Sequence, residues 1–200
     1  GLIASVIAVF PTGHEHARQV AQTQPEKFAA IEGLYTSQSA APLVLFGLVE
    51  TEPVRKLNAE FSVPGLLSWL AFGDANAHVH GLDKFPANEI PPLWLPFVSF
   101  HNMVILGSFF VLVMTIGVFL FFRRKLEGTR WYLTLLLYSI PLPLIACQFG
   151  WIAAEVGRQP WAVYKILRTV DAVSLTVTAG EILFSIILFG VVYLSLGALY

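Results

Sequence analysis

The 200-residue chain is poor in charge and contains a single cysteine. Charged residues make up 12% of it and hydrophobic residues 56%, whereas soluble globular proteins carry about 25% charged residues. So few charges cannot cover a small water-soluble domain, and the composition therefore predicts a membrane protein. The lone Cys147 excludes an intramolecular disulfide and any multi-cysteine metal site within the chain. A net charge of −1, with no long basic run, excludes a nucleic-acid-binding surface.

Three long apolar runs occupy residues 93–200, and each is long enough to cross a bilayer. Leu93–Phe122 and Trp131–Ala154 carry no formal charge, and Ala172–Tyr200 carries only Glu181. The turn Arg123–Arg130 between the first two runs holds four basic residues and one acidic residue. The positive-inside rule puts this turn in the cytoplasm. The sequence therefore predicts an all-α integral membrane protein.

The first 92 residues have a different character. Residues 1–10, GLIASVIAVF, supply about half of the roughly 20 apolar residues that a spanning helix needs, and we expect them to be the end of a transmembrane helix. Residues 11–92 hold nine acidic and five basic residues, with recurrent proline and glycine. A segment of this length is too long for a simple connection. We therefore predict an extracytoplasmic loop domain at 11–92 and a three-span helix bundle at 93–200.

The end of the second run, GWIAAEVGRQPW, concentrates polar chemistry at membrane depth. Glu155 lies four residues after Trp151, so both lie on one face of a helix. Gly157 can end that helix, and Arg158 would then complement its dipole and could bind a carboxylate. An acid, an aromatic and an arginine in this arrangement could hold a porphyrin. The alternative is an ordinary glutamate at the membrane interface.

Met103 lies early in the first run, in FHNMVILG. A methionine in a transmembrane helix commonly serves packing alone. The functional interpretation is a thioether ligand of a haem iron, paired with a histidine elsewhere. His101, two residues away on a different helical face, is a competing ligand.

Several segments together resemble the cytochrome bd quinol oxidase subunit I family, C-terminal half. They are GWIAAEVGRQPW with its flanking IPLPLIA and LTVTAGEILFS, FHNMVILG, QPEKFAAIEGLY and VHGLDKFP. They are spread over nearly all 200 residues and keep the family's order. The resemblance implies a membrane-bound oxidase that oxidises quinol and reduces oxygen to water with a low-spin haem b, a high-spin haem b and haem d. It also implies that the protein lies in a prokaryotic cytoplasmic (inner) membrane.

The resemblance also implies roles for residues of the helix bundle. Met103 matches the axial methionine of the low-spin b haem, and Glu155 matches the ligand of the high-spin b haem. Trp151 matches the tryptophan between the two b haems, where it would assist electron transfer. Arg158 and Trp161 match residues that line the haem cluster.

In the loop domain, Lys27 and Glu32 match the residues implicated in quinol oxidation. A carboxylate can accept a proton that the quinol sheds. Their five-residue spacing is poor for a helical ion pair, so we expect separate roles. The alternative is a solvated surface pair.

The sequence departs from the family in three respects. His101 stands where the family often has an arginine that contacts a haem propionate, and it could donate a hydrogen bond there or bind iron itself. The loop is of the short type. The family's histidine ligands lie in the N-terminal half, and none of His14, His16, His78 and His80 is in a predicted span. We therefore expect a fragment or one piece of a split subunit. Its expected partners are the N-terminal half, in the same or a separate chain, and subunit II with or without small subunits.

Two other interpretations stay open at this point. In a non-redox membrane scaffold or transporter fragment, Glu155 and Glu181 would serve ion passage and Met103 would be a packing residue. A degenerate paralogue would bind haem without reducing oxygen. An absorption spectrum separates the first of these from an oxidase, since a scaffold has no Soret or α band.

Overall fold

The computed structural model of the protein describes residues 10–50, 56–174 and 176–199. The helix end predicted for residues 1–10 therefore lies, except for Phe10, outside the described residues. Seven helices follow one another in the described chain: α1 Phe10–Thr23, α2 Pro25–Glu32, α3 Leu66–Phe72, α4 Trp94–Phe122, α5 Arg130–Ser139, α6 Leu142–Gly157 and α7 Ala179–Leu199. Six short strands interrupt them: β1 Gln38–Ser39, β2 Leu43–Glu50, β3 Lys56–Val63, β4 His78–Val79, β5 Trp161–Val163 and β6 Leu167–Arg168. The predicted helical membrane architecture is confirmed.

The segment before α4 has a hydrophobic core of its own. Helix α2 begins with Pro25 in its first turn, where a missing N–H costs nothing, and ends at Gly33, whose φ of 68° favours glycine. The buried hydroxyl of Ser68 accepts a hydrogen bond from the Ala41 N–H at 2.8 Å and donates one to the Ala77 carbonyl at 2.8 Å. Apolar side chains from α1, α2, α3, β4 and the connecting segments fill the rest: Val20, Ala21, Phe28, Ala29, Ala30, Leu34, Ala41, Leu67, Ala71, Val79, Leu82 and Leu93.

Small antiparallel sheets complete this segment. Strands β2 and β3 form a hairpin whose register pairs Leu43 with Val63, and β1 pairs with β4. The loop sequence gave no clean alternation of apolar and polar residues, and we did not predict these strands. β2 is irregular in its pairing, with shifts of register between Val44 and Leu48, which explains the weak pattern.

Helices α4 and α6 pack against each other as an antiparallel pair. The second predicted span, Trp131–Ala154, is divided in the structure into α5 and α6, which meet at an angle of 40°. Pro141 and Pro143 cause the break, because proline has no N–H to donate within a helix. The pair brings the end of α6 back to the level at which α4 begins, next to the loop segment. The basic turn 123–130 lies at the other end of α4.

The third predicted span is shorter than expected. It was predicted to begin at Ala172, whereas α7 begins at Ala179 and has 21 residues. Thr178 starts it, because its N–H and hydroxyl both donate to the Glu181 carboxylate, at 2.8 and 2.9 Å. A helix of this length spans about 31 Å, enough for the apolar part of a bilayer. None of the described residues of α7 is buried, so its apolar surface is available to lipid or to another chain.

Candidate functional site

The end of α6 carries an ion pair that faces open space. The helix ends at Gly157, as the sequence predicted. The Arg158 guanidinium lies 2.7 Å from the Glu155 carboxylate, with the side chains 47% and 40% exposed. Trp151, one turn before Glu155, is 64% exposed. The described chain thus leaves an acid, an arginine and an indole uncovered along one side of a membrane helix.

Lys27 of the loop segment lies beside this ion pair. Its ammonium donates a hydrogen bond to the Ala154 carbonyl at 3.2 Å. Lys27 packs close to Gly157, where an added Cβ would lie 3.4 Å from Lys27 Cε. Burial lowers the pKa of Lys27 and the Arg158 guanidinium adds to this shift, while the Glu155 carboxylate opposes it. The structure therefore brings together a predicted quinol-loop residue and a predicted haem ligand that are far apart in sequence.

Glu32 occupies the last position of α2 and is 5% exposed. Its Oε2 atom is buried and has no hydrogen-bond partner among the described residues. Burial raises the pKa of Glu32 to about 8.

Trp161 belongs to β5, directly after the helix end. The Arg168 guanidinium lies 5.3 Å from the centre of its ring, which is a cation–π contact. The indole Nε1 is buried and finds no acceptor within the described ranges. A buried N–H without an acceptor is costly, so this atom is suited to an acidic group supplied from outside the described chain.

Met103 lies at the contact between α4 and α6 and is half-buried. Its sulfur packs directly on the backbone of Gly150, where an added Cβ would be only 2.9 Å from Sδ. Gly150 directly precedes Trp151, so the Met103 thioether contacts α6 one residue before the exposed indole. A larger residue at position 150 would therefore force the Met103 side chain to shift.

His101 uses both ring nitrogens to join α4 to the loop segment. Nδ1 lies 2.9 Å from the Phe97 carbonyl, and Nε2 lies 2.9 Å from the Val44 carbonyl of β2. The ring also stacks on Phe97 with 4.0 Å between centroids. Carbonyls only accept, so both contacts are hydrogen bonds only when both nitrogens carry protons. An iron-ligand role for His101 would require one of these contacts to open.

One buried acid was not predicted from the sequence. Glu26 is 2% exposed, and its Oε2 accepts a hydrogen bond from the Tyr164 hydroxyl at 2.8 Å. The Lys165 ammonium lies 4.0 Å from its other oxygen. An acid in the first turn of a helix is ordinary, so nothing in PEKF marks Glu26 as buried.

Glu181 caps the beginning of α7. It is in the first turn of α7, and its carboxylate accepts hydrogen bonds from Thr178. A carboxylate in this position stabilises the beginning of a helix. The hydrogen bonds therefore account for the one charge in the third predicted run without a transport role.

Comparisons with known proteins agree with one another. Residues 1–200 match the family model described as "Cytochrome bd terminal oxidase subunit I". The chain is 39% identical over 209 residues to cytochrome bd ubiquinol oxidase subunit 1 of Bacillus subtilis (strain 168), covering 100% of this chain and 44% of the relative. It is 30% identical over 250 residues to cytochrome bd-II ubiquinol oxidase subunit 1 of Escherichia coli (strain K12), covering 92% and 48%.

A solved structure is also similar. The bd oxidase from Geobacillus thermodenitrificans matches with a TM-score of 0.82 and 33% sequence identity. The match covers 98% of this chain and 44% of that one. The chain thus spans less than half the length of the relatives it resembles.

Proposed function

Because the chain belongs to the cytochrome bd terminal oxidase subunit I family, we propose that it supplies quinol-site residues and haem ligands to a membrane oxidase that oxidises quinol and reduces oxygen to water. One observation carries the proposal: the Lys27 ammonium of the loop segment binds the Ala154 carbonyl, next to Glu155. This contact joins a quinol-binding segment to a haem-binding helix. The complete activity needs the remaining part of subunit I and subunit II as partners.

The family implies haem cofactors, and the side chains at the end of α6 fit them. A haem iron supplies a one-electron redox centre. Glu155 offers an anionic oxygen on an open helix side, which suits the iron of a high-spin haem b. The buried Trp161 Nε1, without an acceptor in the described chain, fits a propionate. Arg158 is a second candidate for a propionate, and the exposed Trp151 can lie against a porphyrin ring.

Met103 is the proposed axial ligand of the low-spin haem b, because it supplies the thioether that this haem requires. Its position between α4 and α6, on Gly150, holds it near the same helix that carries Glu155. His101 is the proposed anchor of this region, since both its nitrogens contact backbone carbonyls. The haem d site requires the part of subunit I that this chain does not contain.

Lys27 and Glu32 are the proposed quinol-site residues. Quinol oxidation releases two protons and two electrons, and the haems, when bound, would supply the acceptors for the electrons. Glu32 can exchange a proton with the quinol, because burial raises the pKa of its carboxyl to about 8, close enough to neutral pH for both the protonated and the ionised form to be populated. The unpartnered Oε2 of Glu32 supports the same role, since it leaves an acceptor for a quinol hydroxyl.

The basic turn and the loop segment lie at opposite ends of α4. With the basic turn in the cytoplasm, residues 11–92 face the outer side of the inner membrane. Quinol is therefore oxidised at the outer surface in this proposal, and its protons are released there.

The test uses the purified membrane complex that contains this chain. Lys27→Ala and Glu32→Gln should slow haem reduction by quinol in a stopped-flow experiment, the latter by about a hundredfold. Dithionite should still reduce every haem in both variants. Glu15→Gln and Lys84→Ala change exposed residues of the same segment and are the matched controls. Normal rates with quinol in both test variants would remove the quinol assignment, and a parent complex without Soret and α bands would remove the oxidase assignment.

A further inference from the structure

Two neighbouring residues of α2 hold the loop segment against the segment that follows the membrane helix. Lys27 binds the carbonyl of Ala154 at the end of α6. Glu26 accepts a hydrogen bond from Tyr164, which lies in the turn between β5 and β6. The helix that carries both proposed quinol-site residues is therefore attached at two points, and only the first involves one of those residues.

The Glu26 carboxylate is buried and accepts one hydrogen bond from the described residues. The Glu26 side chain is 3% exposed, whereas that of Lys165, its nearest cation, is 52% exposed. Within the described part of the chain, Glu26 Oε1 has no hydrogen-bond partner. The Tyr164 hydroxyl is thus the one hydrogen-bond donor to this carboxylate that the described residues provide. A buried carboxylate with so little compensation has an unfavourable desolvation energy.

Tyr164 connects this carboxylate to Trp161. The ring centroids of Tyr164 and Trp161 are 6.5 Å apart in an edge-to-face arrangement. Burial raises the pKa of Tyr164, and the hydrogen bond to Glu26 and the charges of Glu26 and Glu89 raise it further. Tyr164 therefore stays neutral and remains a donor over the whole physiological pH range. The contacts run without interruption from the loop helix through Tyr164 to a proposed haem-lining indole.

We propose that Glu26 and Tyr164 form a positioning pair, which fixes the distance between the quinol-binding helix α2 and the haem-lining segment Trp161–Val163. The inference rests on the function proposed above. Neither residue touches the quinol. The pair sets where Lys27 and Glu32 stand relative to the proposed haem site, so its loss should weaken quinol binding without removing the redox centres.

Tyr164→Phe in the purified complex tests this directly. It removes the hydroxyl and leaves both oxygens of a buried carboxylate without a hydrogen bond. We expect the KM for quinol to rise about tenfold, the typical effect of losing a hydrogen bond to a charged group. We expect kcat per haem and the dithionite-reduced spectrum to stay within about twofold of the parent. Tyr138→Phe, which alters a tyrosine that is 75% exposed on α5, is the matched control.

Glu26→Gln is the second variant and changes the structure less. Its amide oxygen can still accept from Tyr164, so the KM should rise by less than in Tyr164→Phe. An unchanged KM in both variants would overturn the positioning role. A lower haem content, with an unchanged KM for quinol in the complexes that still hold haem, would also overturn it. That result would indicate a structural role alone.

The outcome is distinguishable from a failure of the proposed function. If Lys27→Ala and Glu32→Gln slow quinol oxidation while both positioning variants keep the parent KM, the quinol assignment stands and the positioning pair is refuted. If none of the four variants affects the reaction with quinol, the quinol assignment and the positioning pair both fall.

Discussion

Glu32→Gln should stabilise the docked conformation of α2, in which this helix packs into the core of the loop segment, at neutral and alkaline pH, although we propose that the same change slows quinol oxidation. The carboxyl of Glu32 is buried, with Oε2 unpartnered among the described residues. Burial raises the pKa of this carboxyl from 4.5 to about 8. Glutamine has a similar shape and carries no charge, so it avoids the energy of placing an anion there.

The stabilisation should depend on pH in a defined way. Below pH 4.5, the ordinary pKa of a glutamate, the Glu32 carboxyl is protonated whether α2 is docked or undocked. The free energy of docking then carries no penalty from this group. Between pH 4.5 and about 8, only the undocked carboxyl has lost its proton, so docking loses about 1.4 kcal/mol per pH unit. The penalty is then about 3 kcal/mol at pH 7 and about 5 kcal/mol at pH 8, above which it is constant.

Hydrogen exchange measured by mass spectrometry can follow this difference in the assembled complex. Peptides that cover residues 25–34 report the local opening of α2. Protection in Glu32→Gln should exceed that in the parent by a factor that increases from pH 5 to pH 8. Glu15→Gln, which alters an exposed carboxylate on α1, should show no such trend. A protection ratio that is the same at both pH values would refute the reasoning, because it would mean that the docked carboxyl titrates normally.

Three further predictions concern α4 and α6, the helices proposed to bind haem. Met103→Leu removes the proposed thioether ligand and should convert the low-spin haem b towards high spin with a lower potential; an unchanged reduced α band would transfer the role to His101. Glu155→Gln should deplete the high-spin haem b while the low-spin haem survives, as measured by pyridine haemochromogen and the reduced spectrum, and full occupancy would return Glu155 to an ordinary interfacial role. Gly150→Ala places a Cβ 2.9 Å from Met103 Sδ, so it should destabilise the α4–α6 contact by about 1–3 kcal/mol and shift the reduced α band, whereas Gly190→Ala, with open space around it, should do neither.

The membrane helices were largely predictable from the sequence, because their signal is local. A charge-free run of 30 residues leaves few alternatives to a spanning helix, and α4 covers Trp94–Phe122 as expected. The break at Pro141 could have been predicted from IPLP, since two prolines within three residues interrupt helical hydrogen bonds. The start of α7 was misplaced, because apolar content alone does not reveal that Thr178 and Glu181 form a cap.

The contacts between distant segments were not predictable in the same way. The hydrogen bond from Lys27 to Ala154 joins residues 127 positions apart, and no local pattern encodes that separation. The burial of Glu26 depends on Tyr164, which is 138 positions away. The family resemblance indicated Lys27 and Glu155 individually, but not that they are neighbours. Residue roles can be carried over from relatives, whereas the three-dimensional structure is needed to show which of these residues are neighbours.

The contacts of Lys27 and Glu26 have a consequence for engineering. The loop segment has its own hydrophobic core, so it resembles a module that could be exchanged between oxidases with different quinone preferences. Its attachment, however, uses the Ala154 carbonyl, the space above Gly157 and the Tyr164 hydroxyl, all of which lie outside the loop. A chimaera that transplants residues 11–92 alone would lose these matched surfaces. The interchangeable unit therefore extends beyond the loop. It includes the stretch from Ala154 to Tyr164 and also His101, whose Nε2 contacts the Val44 carbonyl of the loop segment, and all these parts should come from the same parent.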